Sequence, residues 1–266
     1  MPFETIAESR LYAADYGQGD PILLLHGISN FNRAWAPQIA PLVEAGYRVI
    51  VPDMPGHGAS DPRDRVTTVD DLADAMLALL DLKGIGAADI CGVSLGGMVG
   101  MTMALRAPER VNRLVVADSA ARFDTDFHKT MVAAWRSVFL EEDGPVKRLA
   151  RTWPMLVNET FRETLEGQRV FEEALVNARH ASGLSYAYVC DGLIRFDIED
   201  RLPEIARPTL VLVGSEDHML TPEVNRAIAG RIPGAAFEQI EGGAHLANLD
   251  TPDSFNEALL LFLAGS

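Results

Sequence analysis

The sequence predicts an α/β fold in which a mostly parallel, eight-stranded sheet is flanked by helices. Short apolar runs rich in β-branched residues recur along the chain, longer helix-like segments separate them, and a weakly alternating segment comes first. Continuous apolar runs are typical of strands that are buried on both faces of a parallel sheet. A chain of 266 residues, 48% of them hydrophobic, can bury a core of that size.

Six of the runs are predicted to be core strands, and each ends at a turn or at a polar residue. They cover residues 21–25, 47–51, 89–93, 113–117, 209–213 and 236–240. Residues 3–16 are predicted to form an antiparallel hairpin at the sheet edge, which brings the number of strands to eight. Helices are predicted between the strands, where apolar residues share one helix face or a helix stop signal follows. They cover residues 35–45, 68–82, 96–106 and 255–263.

The segment 119–207 interrupts this alternation. It contains no convincing core strand, and its helical stretches cover residues 126–140, 145–156, 159–180 and 182–195. A segment of this length is too long for a loop in a compact domain. We therefore expect a core domain of residues 1–118 and 208–266, with residues 119–207 inserted between two core strands as a helical cap.

The strongest motif is Gly92-Val93-Ser94-Leu95-Gly96, which matches G-x-S-x-G between a predicted strand and a predicted helix. In this context the serine occupies a strained turn that projects its hydroxyl from the sheet. Side chains two residues to either side would collide in so tight a bend, which explains both glycines. Ser94 is therefore the predicted nucleophile.

A serine hydroxyl needs a base within hydrogen-bond reach. His245 follows the last predicted strand, at the sheet edge where parallel sheets place their sites. It also fits the chain order of nucleophile, acid and histidine. His218 is the rival base, but it precedes the last strand. We predict His245 as the base.

The acid that orients the histidine is predicted to be Asp217, just past the strand at 209–213. Asp118 also follows a strand and could serve geometrically, and Glu216 is a third choice. The acid fixes the imidazole tautomer and stabilises the imidazolium as it forms. The negative charge on the reacting oxygen needs N–H donors, for which we expect the main-chain amides of Leu95 and Ile28.

Composition and motifs argue against several other classes of protein. The sequence has no histidine pair at metal-ligand spacing and no glycine-rich phosphate loop, so we expect no metal and no cofactor. A net charge of −15 disfavours nucleic acids and anionic membranes as partners. With no 18-residue apolar stretch, no signal-like N-terminus and two distant cysteines, a cytoplasmic protein is expected. A homodimer stays open.

Four runs resemble those of capped α/β-hydrolases, and the resemblance covers nearly the whole chain outside the cap. They lie at 24–27, 53–60, 92–97 and 243–245. The runs at 94–100 and 117–122 are most similar to 3-oxoadipate enol-lactonases and related carboxylesterase-like hydrolases. Serine at position 94 differs from the aspartate nucleophile of haloalkane dehalogenases and epoxide hydrolases. The pair His26-Gly27 is more typical of general esterases and carbon–carbon bond hydrolases.

The resemblance implies a serine hydrolase that cleaves a small carboxylic ester or lactone through an acyl-enzyme. Hydrolysis of a carbon–carbon bond in a dicarbonyl compound is the alternative reaction, and a non-catalytic small-ligand-binding protein is the alternative role. Trp135, Trp153 and Tyr186 are candidate pocket residues, although packing of the cap onto the core would explain them equally well. Five arginines are candidates to hold a substrate carboxylate, although solvated helix faces explain them better: Arg122, Arg136, Arg151, Arg179 and Arg195.

Overall fold

The computed structural model describes residues 2–6 and 9–265 and contains one eight-stranded sheet. The strands are β1 (Phe3–Ile6), β2 (Ser9–Tyr16), β3 (Asp20–Leu25), β4 (Tyr47–Pro52), β5 (Ala88–Val93), β6 (Val111–Ala117), β7 (Thr209–Gly214) and β8 (Ala236–Ile240). Their order in the sheet is β1-β2-β4-β3-β5-β6-β7-β8. β1 and β2 are antiparallel to their neighbours, and all other pairs are parallel. The predicted fold class is confirmed.

The hairpin predicted at 3–16 is confirmed as β1 and β2, which pair from Phe3 opposite Tyr12 to Ile6 opposite Ser9. Residues 7 and 8 of the predicted hairpin lie outside the described residues, as do both ends of the predicted core domain, residues 1 and 266. β5 lies near the middle of the sheet, and all six of its residues are buried. That burial explains why its sequence shows no alternation of polar and apolar residues.

Helices flank the sheet. They are α1 (Ala36–Glu44), α2 (Val69–Leu82), α3 (Leu95–Arg106), α4 (Asp126–Phe139), α5 (Gly144–Leu156), α6 (Glu159–Glu163), α7 (Leu165–His180), α8 (Gly183–Leu193), α9 (Pro222–Arg231), α10 (Ala247–Asp250) and α11 (Pro252–Ala264). Side chains of α2, α3 and α9 share one hydrophobic cluster with Leu23 and Leu25 of the central sheet. Those of α1 and α11 share the other cluster with Ile22 and Leu24. Because successive strand residues point to opposite faces, both sheet faces are covered.

The predicted helices differ from the observed ones in two respects. The stretch 159–180 is not one helix: Thr164 is extended (φ −77°, ψ 158°), and its side chain accepts a hydrogen bond from the Gly167 N–H at the start of α7. A threonine that caps a new helix ends the preceding one. The helices α9 and α10 were not predicted, although Thr221-Pro222-Glu223 carries the start signal for α9, with proline at the first helical position.

Five helices, α4 to α8, lie between β6 and β7, and we refer to residues 119–207 as the helical insertion. α4 packs on α8 and α5, and α5 packs on α7. Within the described ranges, no helix is long and apolar enough to cross a lipid bilayer.

Candidate active site

Ser94 lies at the junction of β5 and α3, where the backbone is strained. Its φ is 55° and its ψ is −118°, a conformation that non-glycine residues rarely adopt. A Cβ on Gly92 would overlap the Gly96 carbonyl, and one on Gly96 would overlap the carbonyl oxygen of Leu25 in β3. The two glycines therefore allow the turn itself and its close approach to the neighbouring strand.

Hydrogen bonds hold this turn from the β6 side. The Ser94 N–H donates to the Ala117 carbonyl at 2.9 Å, and the Ser119 hydroxyl donates to the Ser94 carbonyl at 2.8 Å. Ser119 was not a sequence candidate, because its role depends on the register between β5 and β6. Strain of this kind persists where the surrounding structure holds it in place, and it is common at functional sites.

His245 and Asp217 form a buried pair at the carboxyl ends of β8 and β7. The two atoms His245 Nδ1 and Asp217 Oδ2 are 2.9 Å apart. The other carboxylate oxygen of Asp217 accepts hydrogen bonds from the Met219 and Leu220 N–H groups at 2.7 and 3.0 Å. An ionised Asp217 requires His245 to carry its proton on Nδ1, which leaves Nε2 as a proton acceptor.

Asp217 and Asp118 have opposite electrostatic environments. Burial alone would raise the pKa of Asp217, but the charge of His245 and the three hydrogen bonds lower it below its ordinary value. Burial, and then the neighbouring charge of Asp217, raise the pKa of Asp118 well above its ordinary value. Asp118 Oδ1 accepts from the Gly214 N–H at 2.8 Å. The site therefore favours the ionised form of Asp217, which contacts the histidine, and disfavours the ionised form of Asp118.

The rival candidates lie away from this pair. His218 and Glu216 are exposed on the loop after β7. His26 is buried behind the site, where its Nε2 accepts from the Met54 N–H at 3.0 Å and its Nδ1 donates to the Gly27 carbonyl at 2.8 Å. Burial lowers the pKa of His26 to about 4 and that of His57 to about 3, so both imidazoles are neutral at neutral pH. A neutral, fully hydrogen-bonded His26 acts as a brace for the loop after β3.

One pocket contains the predicted nucleophile and base together. The pocket is lined by Ser94, Leu95, Ile28 and His245. Gly27 lies so close that a Cβ on it would be 3.3 Å from the Cβ of Ser94. Leu95 is the first residue of α3, so its N–H has no acceptor within the helix. The arrangement can bring a carbonyl group beside a serine hydroxyl, an imidazole and free main-chain donors.

The helical insertion supplies the other wall of this pocket. Trp135, Trp153 and Tyr186, the three aromatic candidates, line it from α4, α5 and α8. None of the five candidate arginines does. Arg122 is paired with Asp124 and Glu199, and Arg136 with Asp191, and the other three are exposed. Sequence reasoning missed Arg148, a buried arginine of α5 that lines the pocket.

A buried carboxylate ties the insertion to the loop that carries His245. Asp250 Oδ2 accepts from the Asn158 N–H at 2.8 Å and from the Ala244 N–H at 2.9 Å. Asn158 Nδ2 donates to the Gly242 carbonyl at 2.8 Å, and the Leu246 N–H donates to the Leu156 carbonyl at 2.8 Å. Residues 156–158 thus form hydrogen bonds with the chain on both sides of His245.

Among residues 2–6 and 9–265, no group of three or more histidine, cysteine or acidic side chains is placed to hold a metal ion. Besides Ser94 and His245, polar side chains line the pocket from the segment after β3 and from the helical insertion: Ser29, Asn30 and Arg33, and Arg148, Thr152, Glu173 and Asn177.

Comparison with known proteins gives consistent relatives. The profile of a family described as the alpha/beta hydrolase fold matches residues 20–252. A protein of Azorhizobium caulinodans named as the carbamate hydrolase RutD is 31% identical over 264 residues, 98% of either chain. The 3-oxoadipate enol-lactonase 2 of Acinetobacter baylyi is 30% identical and covers 96% of this chain and 93% of its own. The crystal structure of the enol-lactonase from Burkholderia xenovorans LB400 superposes with a TM-score of 0.90 at 26% identity, covering 98% of this chain and 99% of its own.

Proposed function

This chain belongs to the alpha/beta hydrolase fold family, and from that premise we propose that it is a serine hydrolase of small carboxylic esters or lactones. The observation that carries the proposal is the strained Ser94, which lines the same pocket as a histidine bonded to a buried, ionised aspartate. Relatives named as an enol-lactonase and a carbamate hydrolase support hydrolysis at an acyl carbon. The lactonase relatives and the similar enol-lactonase structure favour the ester bond.

The proposed reaction has two halves. The Ser94 oxygen attacks the carbonyl carbon while His245 Nε2 takes the hydroxyl proton, and the main-chain N–H groups of Leu95 and Ile28 bind the oxyanion. The tetrahedral intermediate then expels the alcohol oxygen, which takes the proton from His245. Water, deprotonated by His245, attacks the acyl-enzyme, and the acid leaves as Ser94 recovers its proton.

We also infer that residues 119–207 act as a cap that selects the substrate. The nucleophile, base and oxyanion donors come from the core, whereas α4, α5, α7 and α8 supply much of the remaining lining. Specificity in such a fold depends on the pocket rather than on the shared machinery.

The test compares wild type with Ser94→Ala on p-nitrophenyl acetate and butyrate. We expect the variant to fold and to lose at least about 10⁴-fold in kcat, since removal of a serine nucleophile costs roughly this much or more. Ser137→Ala, an exposed serine of α4, is the control and should retain its rate. Residual Ser94→Ala activity above about a tenth of wild type would contradict the nucleophile assignment.

A fluorophosphonate label makes the test independent of substrate choice. The phosphorus is attacked by an activated serine with loss of fluoride, so the adduct should form on Ser94 in wild type and be absent in Ser94→Ala. Wild type that is neither labelled nor active would remove the proposal. A panel of simple esters, lactones, carbamates and dicarbonyl compounds then separates ester hydrolysis from the carbamate and carbon–carbon alternatives.

A further inference from the structure

Asp118 carries a buried carboxyl group that the proposed reaction does not use. It lies directly after β6, its exposed fraction is 0%, and it does not line the pocket of Ser94. Its backbone is left-handed, with a φ of 46°, and its N–H donates to the Leu212 carbonyl at 3.0 Å. Burying a carboxyl group is costly unless its oxygens are hydrogen-bonded.

Within the described part of the chain, only one oxygen of Asp118 accepts a hydrogen bond. Oδ1 accepts from the Gly214 N–H at 2.8 Å, whereas Oδ2 is buried and receives no donor. The carboxyl group of Asp118 is instead in hydrogen-bond contact with the side chain of Asp217. An ionised carboxylate only accepts hydrogen bonds, so a bond between two carboxyl groups requires a proton on one of them.

The surroundings of the two groups indicate which one carries this proton. Both oxygens of Asp217 have donors: His245 Nδ1 lies 2.9 Å from Oδ2, and two main-chain N–H groups donate to Oδ1. Such donors stabilise the charged form of a carboxyl group. Asp118 has one main-chain donor, and burial, followed by the charges of Asp217 and Asp250, raises its pKa well above the ordinary value. Asp118 is therefore the better place for the proton.

We propose that Asp118 is a positioning residue for the acid of this site: its Oδ2 carries a proton and donates it in a hydrogen bond to the Asp217 carboxylate. Asp118, Asp217 and His245 then form a continuous hydrogen-bonded chain that begins at the Gly214 N–H. The proposal rests on the proposed function, because it concerns the acid of the same site. The added donor restricts the rotation of the Asp217 carboxylate and disperses its negative charge.

The first experiment compares wild type, Asp118→Asn and Asp118→Ala on p-nitrophenyl butyrate. Asparagine keeps an oxygen for the Gly214 N–H and offers an Nδ2–H donor to Asp217, so kcat should stay within about threefold of wild type. Alanine removes the donor, and kcat should fall about 10- to 100-fold, the usual loss for a hydrogen bond to a charged group. KM should change in neither variant, because Asp118 does not line the pocket.

Asp143→Ala is the matched control for the left-handed backbone. Asp143 has a φ of 53°, is exposed, and makes no side-chain cap hydrogen bond at the start of α5. Alanine is strained in this conformation at either position, so the fall in Tm of Asp143→Ala measures that strain alone. We expect this variant to keep the kcat of wild type.

The pH dependence of kcat/KM distinguishes a protonated Asp118 from an ionised one. Asp118→Asn replaces one neutral donor with another, so the acid-side midpoint should stay within about 0.3 pH unit of wild type. Removal of an ionised Asp118 would instead lower that midpoint by about one unit or more. Asp118→Ala should raise it, because an Asp217 carboxylate without this donor stabilises the His245 imidazolium more strongly.

An infrared measurement detects the proton without any substrate. A protonated carboxyl group has a C=O stretching band that a carboxylate lacks. The difference spectrum between wild type and Asp118→Asn should therefore contain one such band at about pH 8, where an ordinary carboxyl group is ionised. Asp250, whose pKa is raised by burial to about 6, is also ionised there. Asp143→Asn should show no such band.

The outcomes separate the two proposals. The infrared band, together with an unchanged acid-side midpoint in Asp118→Asn, would support the positioning role. Absence of the band, or a midpoint shifted to lower pH in Asp118→Asn, would overturn it and leave Ser94-dependent hydrolysis standing. Wild-type kcat in a folded Asp118→Ala would also overturn it. The band in a protein that hydrolyses no ester would support the carboxyl pair and contradict the esterase proposal.

Discussion

The two walls of the pocket are built in different ways. The wall formed by the core is fixed by the backbone: Ser94 is held at a positive φ, and glycine is required where β5 approaches α3 and β3. The wall formed by the helical insertion consists of large side chains from separate helices, among them Trp135, Trp153 and Arg148. The position of the nucleophile therefore tolerates almost no change, whereas the wall formed by the insertion can change one side chain at a time.

Substitution of the acid that contacts His245 should reduce the activity most. Asp217→Asn should lower kcat for p-nitrophenyl butyrate about 10⁴-fold, because the amide no longer holds the His245 proton on Nδ1. The charged form of Asp118 is disfavoured by burial, so Asp118→Asn should cost less than about tenfold. A larger loss in Asp118→Asn than in Asp217→Asn would reverse the assignment of the acid.

The second prediction concerns the close approach of Gly96 to the main chain of β3, next to the nucleophile. A methyl group on Gly96 overlaps the Leu25 carbonyl, so Gly96→Ala must displace β3 and the loop that carries Gly27 and Ile28. We expect a loss of about 10²-fold in kcat/KM and of about 1–3 kcal/mol in the free energy of unfolding, measured by urea denaturation.

Gly230, near the end of α9, is the matched control for Gly96→Ala. A Cβ there meets no atom within 4 Å, so Gly230→Ala should keep full activity and gain up to about 1 kcal/mol of stability from its helix propensity. Wild-type activity in Gly96→Ala would show that the close approach of β3 and α3 is dispensable.

A weaker effect is expected at the contact between His57 and Tyr186, where the core meets the helical insertion. The ring centroid of His57, in the core, lies 5.0 Å from that of Tyr186 in α8. Burial lowers the pKa of His57 to about 3, whereas the unfolded chain protonates it near 6.5. The unfolded state therefore binds more protons between these values, and the stabilising contribution, complete above about pH 6.5, is lost as the pH falls.

His57→Gln should accordingly flatten the dependence of the unfolding free energy on pH. The slope between about pH 6 and pH 4 should fall by about 1.4 kcal/mol per pH unit relative to wild type, as measured by urea denaturation at several pH values. His180→Gln, an exposed histidine of α7, is the control from the insertion. An unchanged slope in His57→Gln would mean that His57 takes up a proton in the folded protein.

Much of the core wall could be predicted from the sequence because its constraints are local. The G-x-S-x-G run, the strand before it and the helix after it lie within a few residues of Ser94, and the strand-end positions of Asp217 and His245 follow from the parallel order. The choice between Asp217 and Asp118 needed the structure, since both follow neighbouring strands. Their environments differ largely through groups distant in sequence, such as the Gly214 N–H beside Asp118 and the His245 ring beside Asp217.

The insertion could be predicted only as a set of helices. Five arginines were weighed as carboxylate ligands, yet Arg148, which faces the pocket, was not among them. The sequence gives the helical face of α5 on which Arg148 lies, but not which faces of α4 and α8 cover it. The break at Thr164 was missed for a different reason: helix-forming residues flank it on both sides, and only the extended backbone reveals the cap.

The hydrogen bonds of Asp250 bear on how freely this protein could exchange its parts. Asn158 and Leu156 belong to the insertion by chain position, yet they bind the segment on either side of His245. A chimera with a foreign segment in place of residues 119–207 would have to put a main-chain N–H where that of Asn158 lies, because Asp250 would otherwise be buried with only one of these two N–H donors. We therefore expect a chimera to fold more readily when residues 156–158 are retained. The segment that can be exchanged is thus smaller than the whole insertion between β6 and β7.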